Sequence, residues 1–394
     1  MSKINELIQT LCPDGVEYKL FGDVASICRG ASPRPIKQFV TEDVNGVNWI
    51  KIGDTKVGSK YITETAERIT EAGAKKSRYV HIGDFIMSNS MSFGRPYICQ
   101  IEGCIHDGWL AISEFHDSYN SDFLYYLLCS TVVQKMMEKK ASNGGAVSNL
   151  NADIVRALEL PVPPLPVQEE IVRILDEYTE LEAELEAKLS EEIELKQKQY
   201  EVYRARLLND DSYDGYTLPE ISENCDSQRK PITSSQRVSG STPYYGASGI
   251  VDYVDDYIFD GEYLLISEDG ANLLARNTPI AFSISGKTWV NNHAHILKFE
   301  SYYTQKWVEY YFNSIDLSLY ITGGAQPKLN QKNLNKIVIP VPSPTEQERI
   351  VKILDKYDTY TRDMISTLNT ELESRKKQYA YYRDKLLTFK RKEV

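Results

Sequence analysis

The chain has 394 residues, of which 26% are charged and 42% hydrophobic, with a net charge of −11. That is the composition of a globular protein with room for two or three domains. No apolar run approaches the roughly 20 residues that span a bilayer, and the start MSKINELIQTL is too polar for a signal peptide, so the expected location is the cytoplasm.

In chain order, Ile4, Leu7, Ile8 and Leu11 predict a short amphipathic helix, closed by the turn Pro13-Asp14-Gly15. Short strands and turns follow to about residue 115, then a helical pattern through Phe123, Leu124, Leu127, Leu128, Val132 and Met136. The proline-rich stretch Pro161, Pro163, Pro164, Pro166 leads into a helix predicted from about 168 to 208, with no internal proline or glycine. Residues 209–339 repeat the scheme loosely, and a second long helix closes the chain. The six cysteines form no CxxC pair and read as reduced, mostly buried thiols.

The two long helices are copies. Residues 161–208 and 340–387 align without a gap at an offset of 179, with 21 of 48 positions identical. The same offset relates Gly144-Gly145-Ala146 with Leu150-Asn151 to Gly323-Gly324-Ala325 with Leu329-Asn330. The period is too long for a solenoid and predicts two large modules. The modules have diverged while the helices have not. The expected fold is therefore α+β: two mixed strand/helix modules separated by two long antiparallel coiled-coil helices, related by a pseudo-two-fold repeat. The predicted divisions are 1–160, 161–208, 209–339 and 340–394. Ile171, Ile174, Leu175, Tyr178 and Leu185 form a stripe that Ile350, Ile353, Leu354, Tyr357 and Met364 repeat, and these are the candidates for helix pairing or partner docking. The N-terminal helix is expected near the last turns of the second long helix.

Net charge divides as −2 over 1–160, −6 over 161–208, −6 over 209–339 and +3 over 340–394. The opposite signs of the helix segments predict charge pairing between them. No segment is strongly basic, so DNA binding requires local patches or a partner that supplies positive charge.

Chemical motifs are weak. Ser285-Gly286-Lys287-Thr288 has the end of a P-loop, but the upstream glycine position is Ala281. His293-x-His295, and His106 with Asp107, lack further ligands at standard metal spacing; one strand histidine facing the core and one facing outward is expected. The run 88–92 contains serines without a base oriented to activate them. No catalytic residue, metal site or resident cofactor is expected. What remains is recognition chemistry. Arg, Lys, Asn and Asp read base edges, while Lys, Ser and Thr position phosphates. Candidates in the first module are Arg29, Arg34, Trp49, Lys51, Lys75, Lys76, Arg78, Ser88, Asn89 and Arg95. In the second they are Arg229, Lys230, Arg237, Tyr244, Tyr245, Asp269, Asn272, Arg276 and Lys287.

The order of variable module, Gly-Gly-Ala-x-x-x-Leu-Asn, Pro-Val-Pro, Gln-Glu-x-Ile-Val-x-Ile-Leu-Asp-x-Tyr and a helix ending Lys-Gln-Tyr-x-x-Tyr-Arg-x-x-Leu-Leu, given twice, resembles the DNA-specificity (S) subunit of Type I restriction–modification systems. Residues 49–54 (WIKIGD) and 244–249 (YYGASG) resemble that family's start-of-module patterns. The resemblance covers essentially the whole chain. It implies a non-catalytic subunit in which each module reads one half of a bipartite double-stranded DNA target and the helices set the gap. It also implies two methyltransferase (M) subunits, which carry S-adenosylmethionine and methylate adenine, and two translocase–nuclease (R) subunits in the restriction complex. The alternatives are a methylation-only or phase-variable system, and a bivalent coiled-coil adaptor.

Overall fold

The structure, a computed structural model, describes residues 2–56, 58–89, 93–142, 149–210, 212–323 and 326–393. The motif residues Gly144-Gly145-Ala146 and Gly324-Ala325, and positions 90–92 of the serine-rich run, lie outside the described residues. The chain divides into two compact units, one of residues 1–187 with 371–394 and one of residues 188–370. Each unit therefore holds one module and portions of both long helices. No helix among the described residues is long and apolar enough to cross a membrane.

In the first unit, strands Tyr18–Leu20 and Glu159–Pro161 pair antiparallel and tie the two ends of the module together. Between them lie two five-stranded sheets. One runs Ser26–Arg29, Trp109–Ser113, Phe85–Ser88, Pro96–Cys99, Tyr61–Ile62, and the other runs Val40–Thr41, Glu67–Ile69, Val47–Ile50, Gly103–Ile105, Arg78–Val80. In the second unit, Asp214–Thr217 and Val338–Val341 make the equivalent tie. Its six-stranded sheet runs Glu223–Asn224, Ala294–Lys298, Phe259–Ser267, Ala281–Val290, Ser239–Gly246, Gly249–Val254. The first four strands of that order match the first four of the 26–29 sheet. The modules thus share a strand plan although little sequence similarity survives between them. Burial along these strands is set by core packing, which many apolar sequences satisfy.

The first long helix is Leu165–Leu208 and the second Pro344–Leu386. The first starts three residues before the predicted point because Pro166 is accepted in the opening turn, where its missing N–H costs no bond. The stripe proposed for helix pairing divides into two parts. Ile171 and Leu175 are fully buried in the first module's core with Phe123, Leu124 and Leu127, and Ile174 packs against it. Ile350 and Leu354 are fully buried in the second core with Trp307, Val308 and Leu297. These four buried residues anchor each helix to its own module, a correction to their assignment as a helix–helix seam. The physical reason is that the first turns of each helix abut a module whose apolar surface is larger than one facing helix offers. Ile353, Leu185 and Met364 are half-buried, and Tyr178 is exposed.

Two of the repeated polar residues have the same duty. The amide of Gln168 donates to the Ser118 and Pro163 carbonyls and accepts from the Asn120 N–H. Gln347 donates to the Pro342 carbonyl and accepts from the Thr304 hydroxyl. The Tyr126 hydroxyl donates to Asp176 at 2.6 Å, and Tyr310 to Asp355 at 2.5 Å. Burial, followed by the neighbouring carboxylate, pushes both phenols up. Tyr126→Phe is expected to cost about 1–2 kcal/mol, since it removes a charge-assisted bond from a residue that is itself buried. A change below about 0.5 kcal/mol in urea unfolding, on the order of surface-site effects, would show that bond to contribute nothing beyond what water supplies.

Within each unit the long helices run antiparallel. In the first, the Thr179 hydroxyl lies 2.8 Å from the Tyr379 hydroxyl and Lys376 pairs with Glu186 at 3.1 Å. In the second, Tyr357 stacks on Tyr203 at 5.2 Å and on Tyr200 at 6.4 Å. Tyr357 therefore does pair the helices. Many of the helix charges bond along their own helix instead of across it, as Arg173 does with Glu177, Lys198 with Glu194 and Lys352 with Glu348. The N-terminal helix Ser2–Leu11 shares the first core with Leu387 through Ile4, and Val16 exchanges backbone bonds with Lys390 and Lys392.

Lys3 and Arg173 both bind Glu170, at 2.7 and 2.8 Å, and its side chain is 4% exposed. Their hydrogen bonds, Arg173's first, lower the Glu170 carboxyl to about 2. A depressed carboxyl stabilises the fold above its unfolded value and loses that contribution as pH falls through the folded one. The docking of the N-terminal helix is thus expected to weaken between about pH 4.5 and 2. Because both cations are solvent-exposed, the effect is about 1 kcal/mol, and Glu170→Gln should remove that pH dependence in acid titration of unfolding. All six cysteines are free thiols, four of them buried, and burial pushes Cys99 up to about 12.

Candidate nucleic-acid interface

Strand directions gather most candidate residues at one end of each module. In the first, the carboxyl ends of 26–29, 47–50, 85–88 and 103–105 lie with the amino ends of 78–80, 96–99 and 109–113, as the pairings require. Arg29 Nε donates to the Asp107 carbonyl at 3.0 Å, Asn89 Nδ2 donates to the same carbonyl at 2.9 Å, and Arg34 reaches the Asp107 carboxylate at 3.5 Å. The Ser32 hydroxyl donates to that carboxylate at 2.7 Å and holds it below the usual range. Lys51 bonds Glu67 at 2.5 Å and lines the same cleft as His106 and Asp107. The His106 imidazole is pushed down by burial.

Lys75 and Arg78 are exposed beside this group, and Lys76 rests 4.7 Å over the Phe39 ring. Arg95 lies 5.5 Å over Tyr97 at the amino end of its strand. Arg29 and Arg34 have exposed side chains whose bonds go to the carbonyl and the carboxylate of Asp107. Trp49 and Ser88 are different. They are 2% and 0% exposed, and Trp49 packs with Ile69 and Cys104. They shape the loops from beneath and do not present a polar edge, which corrects their assignment as surface contacts.

The second module repeats the arrangement with other side chains. Backbone bonds make the positions comparable. Leu150 N–H donates to the Asn89 carbonyl as Leu329 N–H does to Glu268, and Asn89 N–H donates to Gly108 as Glu268 N–H does to His293. The strand registers then place Trp49 with Tyr244, Asn89 with Glu268, Leu110 with His295 and Arg29 with Asp226. Tyr244, 1% exposed, is a core residue like Trp49, and its hydroxyl bonds the Ile232 backbone, which corrects its assignment as a DNA contact. Tyr245 is half-buried, and the Ser267 hydroxyl donates to the Ala247 carbonyl nearby.

Arg229 bonds Glu268 at 2.7 Å and the Ala294 carbonyl at 2.6 Å, and Lys230 is exposed next to it. Asp269 binds His293 at 2.9 Å, and the Asn272 amide closes a turn on the Thr278 carbonyl. Arg237 stacks 4.4 Å over Tyr244 and pairs with Asp252 at 3.0 Å. Two candidates fall elsewhere. Lys287 is exposed within strand Ala281–Val290, opposite Asp260 at the far end of the long strand pair from Ser267, and lies 4.4 Å over Tyr257. Arg276, in a left-handed conformation at φ 53°, donates to the Phe312 and Ile315 carbonyls. It neutralises the carboxyl end of helix Tyr302–Phe312, so its role is structural and its assignment as a base reader is corrected.

The histidines behave as expected: His295 is 1% exposed and His293 is 52% exposed at its side chain. Asp226, Glu268 and His295 come close enough to hold a metal ion. Arg229 and Lys328 already engage these carboxylates, with Lys328 3.0 Å from Glu268, so the cluster is a closed ion network. Sequence reading missed Ser32, Asp226, Glu268 and Lys328. Only Glu268 had a visible signal, as the 179-offset counterpart of Asn89.

Compared with known proteins, the chain matches the Type I restriction modification DNA specificity domain over residues 13–195 and again over 211–374. A putative type I restriction enzyme specificity subunit of Haemophilus influenzae is 38% identical over 48% of this chain and 50% of its own length. The EcoprrI specificity subunit of Escherichia coli is 26% identical over 92% of this chain and 93% of its own. A chain from a solved type I R-M system shares the fold with a TM-score of 0.76 at 16% identity, covering 95% of this chain and 97% of that one. The HsdS subunit of Thermoanaerobacter tengcongensis does so at 0.59 and 17%, covering 96% of this chain and 97% of that one. With the domain present once in each half, on modules that share a strand plan and a docked helix, the chain belongs to the Type I restriction–modification specificity subunits.

Proposed function

We propose that each module of this specificity subunit reads one half of a bipartite double-stranded DNA target, and that the helix pair sets the unread gap. Two M subunits, bringing S-adenosylmethionine and methylating adenine, dock on the helices; two R subunits join in the restriction complex, in the cytoplasm. The chain itself supplies recognition and no bond-making step.

One observation carries this reading. Register-equivalent positions at the strand ends hold different chemistry in the two modules: exposed Arg29 against Asp226 and Gly108 against exposed His293, above the buried pairs Asn89 with Glu268 and Leu110 with His295. A shared backbone with unlike side chains is what reading two different half-sites demands, since base edges are distinguished by their donor and acceptor patterns. The copied helix signature supports identical partners on both sides. The modest charge of the modules is met by cations contributed with the M subunits, because neutralised phosphates supply much of any protein–DNA affinity. Methylation mapping of host DNA with and without the gene tests this. A single split motif should lose its adenine methylation when the gene is removed; persistence of every motif would sink the reading.

A further inference from the structure

The ion network of the second module has no counterpart among the described residues of the first, and it holds backbone. His295 Nδ1 lies 2.6 Å from the Asp226 carboxylate and Nε2 lies 2.8 Å from the Leu329 carbonyl. Both partners are acceptors, so both bonds exist only when the ring carries two protons. A buried imidazolium needs paired charge around it. Asp226 and Glu268 supply it, and Arg229 and Lys328 balance them in turn. Burial pushes both carboxyls up, but hydrogen bonds from His295 to Asp226 and from Arg229 to Glu268 outweigh it and leave both below the usual range.

The Leu329 peptide is thereby held on both sides: its carbonyl by His295, and its N–H by the Glu268 carbonyl at 2.7 Å. Gly270 N–H adds a bond to Pro327. The neighbour Lys328 has a side chain 49% exposed, and its backbone bridges to Asp269, which pairs with the exposed His293. In the first module Leu150 keeps the equivalent N–H bond to Asn89, but the strand position of His295 is Leu110, which cannot donate to the Leu150 carbonyl.

We propose that His295 is a positioning residue for DNA reading by the second module alone. Its Nε2, 2.8 Å from the Leu329 carbonyl, clips that peptide and so fixes the edge formed by Lys328, Asp269 and His293 where a duplex is contacted. This rests on the function proposed above. The bond to a charged donor is lost in His295→Leu, while the amide in His295→Gln still donates to the carbonyl.

The test uses the full chain with its methyltransferase partner and duplexes carrying the mapped target, or that target altered in one half. His295→Leu should lower discrimination at the second half-site about tenfold, the scale of one charge-assisted hydrogen bond. His295→Gln should recover most of it, and discrimination at the first half-site should not change. Lys328→Met, at the surface, should give the same half-specific loss, and it decides alone if His295→Leu does not fold. Hydrogen exchange at the Leu329 amide should quicken in His295→Leu. The inference is overturned if Lys328→Met leaves the second half-site at wild-type discrimination, or if both halves weaken together. If the wild-type complex discriminates neither half, the functional reading fails instead.

Discussion

Replacing Trp307 by alanine is expected to destabilise the second unit by about 3–5 kcal/mol, the range for a buried aromatic truncated in a packed core. Trp307 is fully buried among Leu264, Ile266, Leu297, Ile350 and Leu354, so the cavity would open where the second long helix meets its module. Its indole N–H also donates to the Pro340 carbonyl at 2.7 Å, at the start of the proline-rich lead-in to that helix. Two links are lost together: the packing that seats the helix and the bond that sets its departure. Urea unfolding followed by hydrogen exchange in residues 188–370 should show the loss there. A control such as Tyr360→Ala, at a position 61% exposed, should stay within about 0.5 kcal/mol. If Trp307→Ala cost as little as the control, the docking account of the helix would be wrong.

Lengthening both long helices at their repeat-equivalent points should change the DNA target in one respect. Four residues inserted after Glu186 and four after Ile365, positions related by the 179 offset, add about 6 Å to each helix and rotate it by little more than one turn. At about 3.4 Å per base pair, the gap between half-sites should grow by roughly two base pairs while the half-sites stay the same. Methylation mapping reads the outcome directly. An unchanged gap would refute the spacer role proposed for the helices, and altered half-sites would show that the insertions had disturbed the modules.

Some of the architecture was legible because it is written as identity within one chain. The gapless repeat, the proline lead-ins and the 3.6-residue periodicity predict two helices of equal length, and the structure has helices of 44 and 43 residues. What the repeat could not reveal was why particular letters recur. Gln168, Gln347, Asp176 and Asp355 read as polar positions on a solvated helix, yet each bonds the module from which its helix departs or the proline lead-in beside it. The repeated pair Ile171 and Ile350 teaches the same lesson: an apolar stripe announces burial but does not name the surface that buries it. Here the module core took the first turns of each stripe, and aromatic stacking through Tyr357 took a later one.

The candidate interface was legible only as a composition of Arg, Lys, Asn and Tyr on turns. Tyr244 and Trp49 open stretches that resemble the family's start-of-module patterns, and their large rings are buried because strand pairing places them beside Trp289 and Cys104. Arg276 carried the same surface expectation as Arg29, but a left-handed turn aims it at helix carbonyls.

The amino-acid sequence alone determined the doubling, the helix lengths, the divergence of the modules and the family, because each of these is a relation between residues along the chain. Tertiary structure decided which side of each stripe is core, which cations face outward and how His295 comes to lie between Asp226 and Leu329, residues 69 and 34 positions away from it. Contacts at that separation depend on strand register and loop closure, and no local periodicity encodes them.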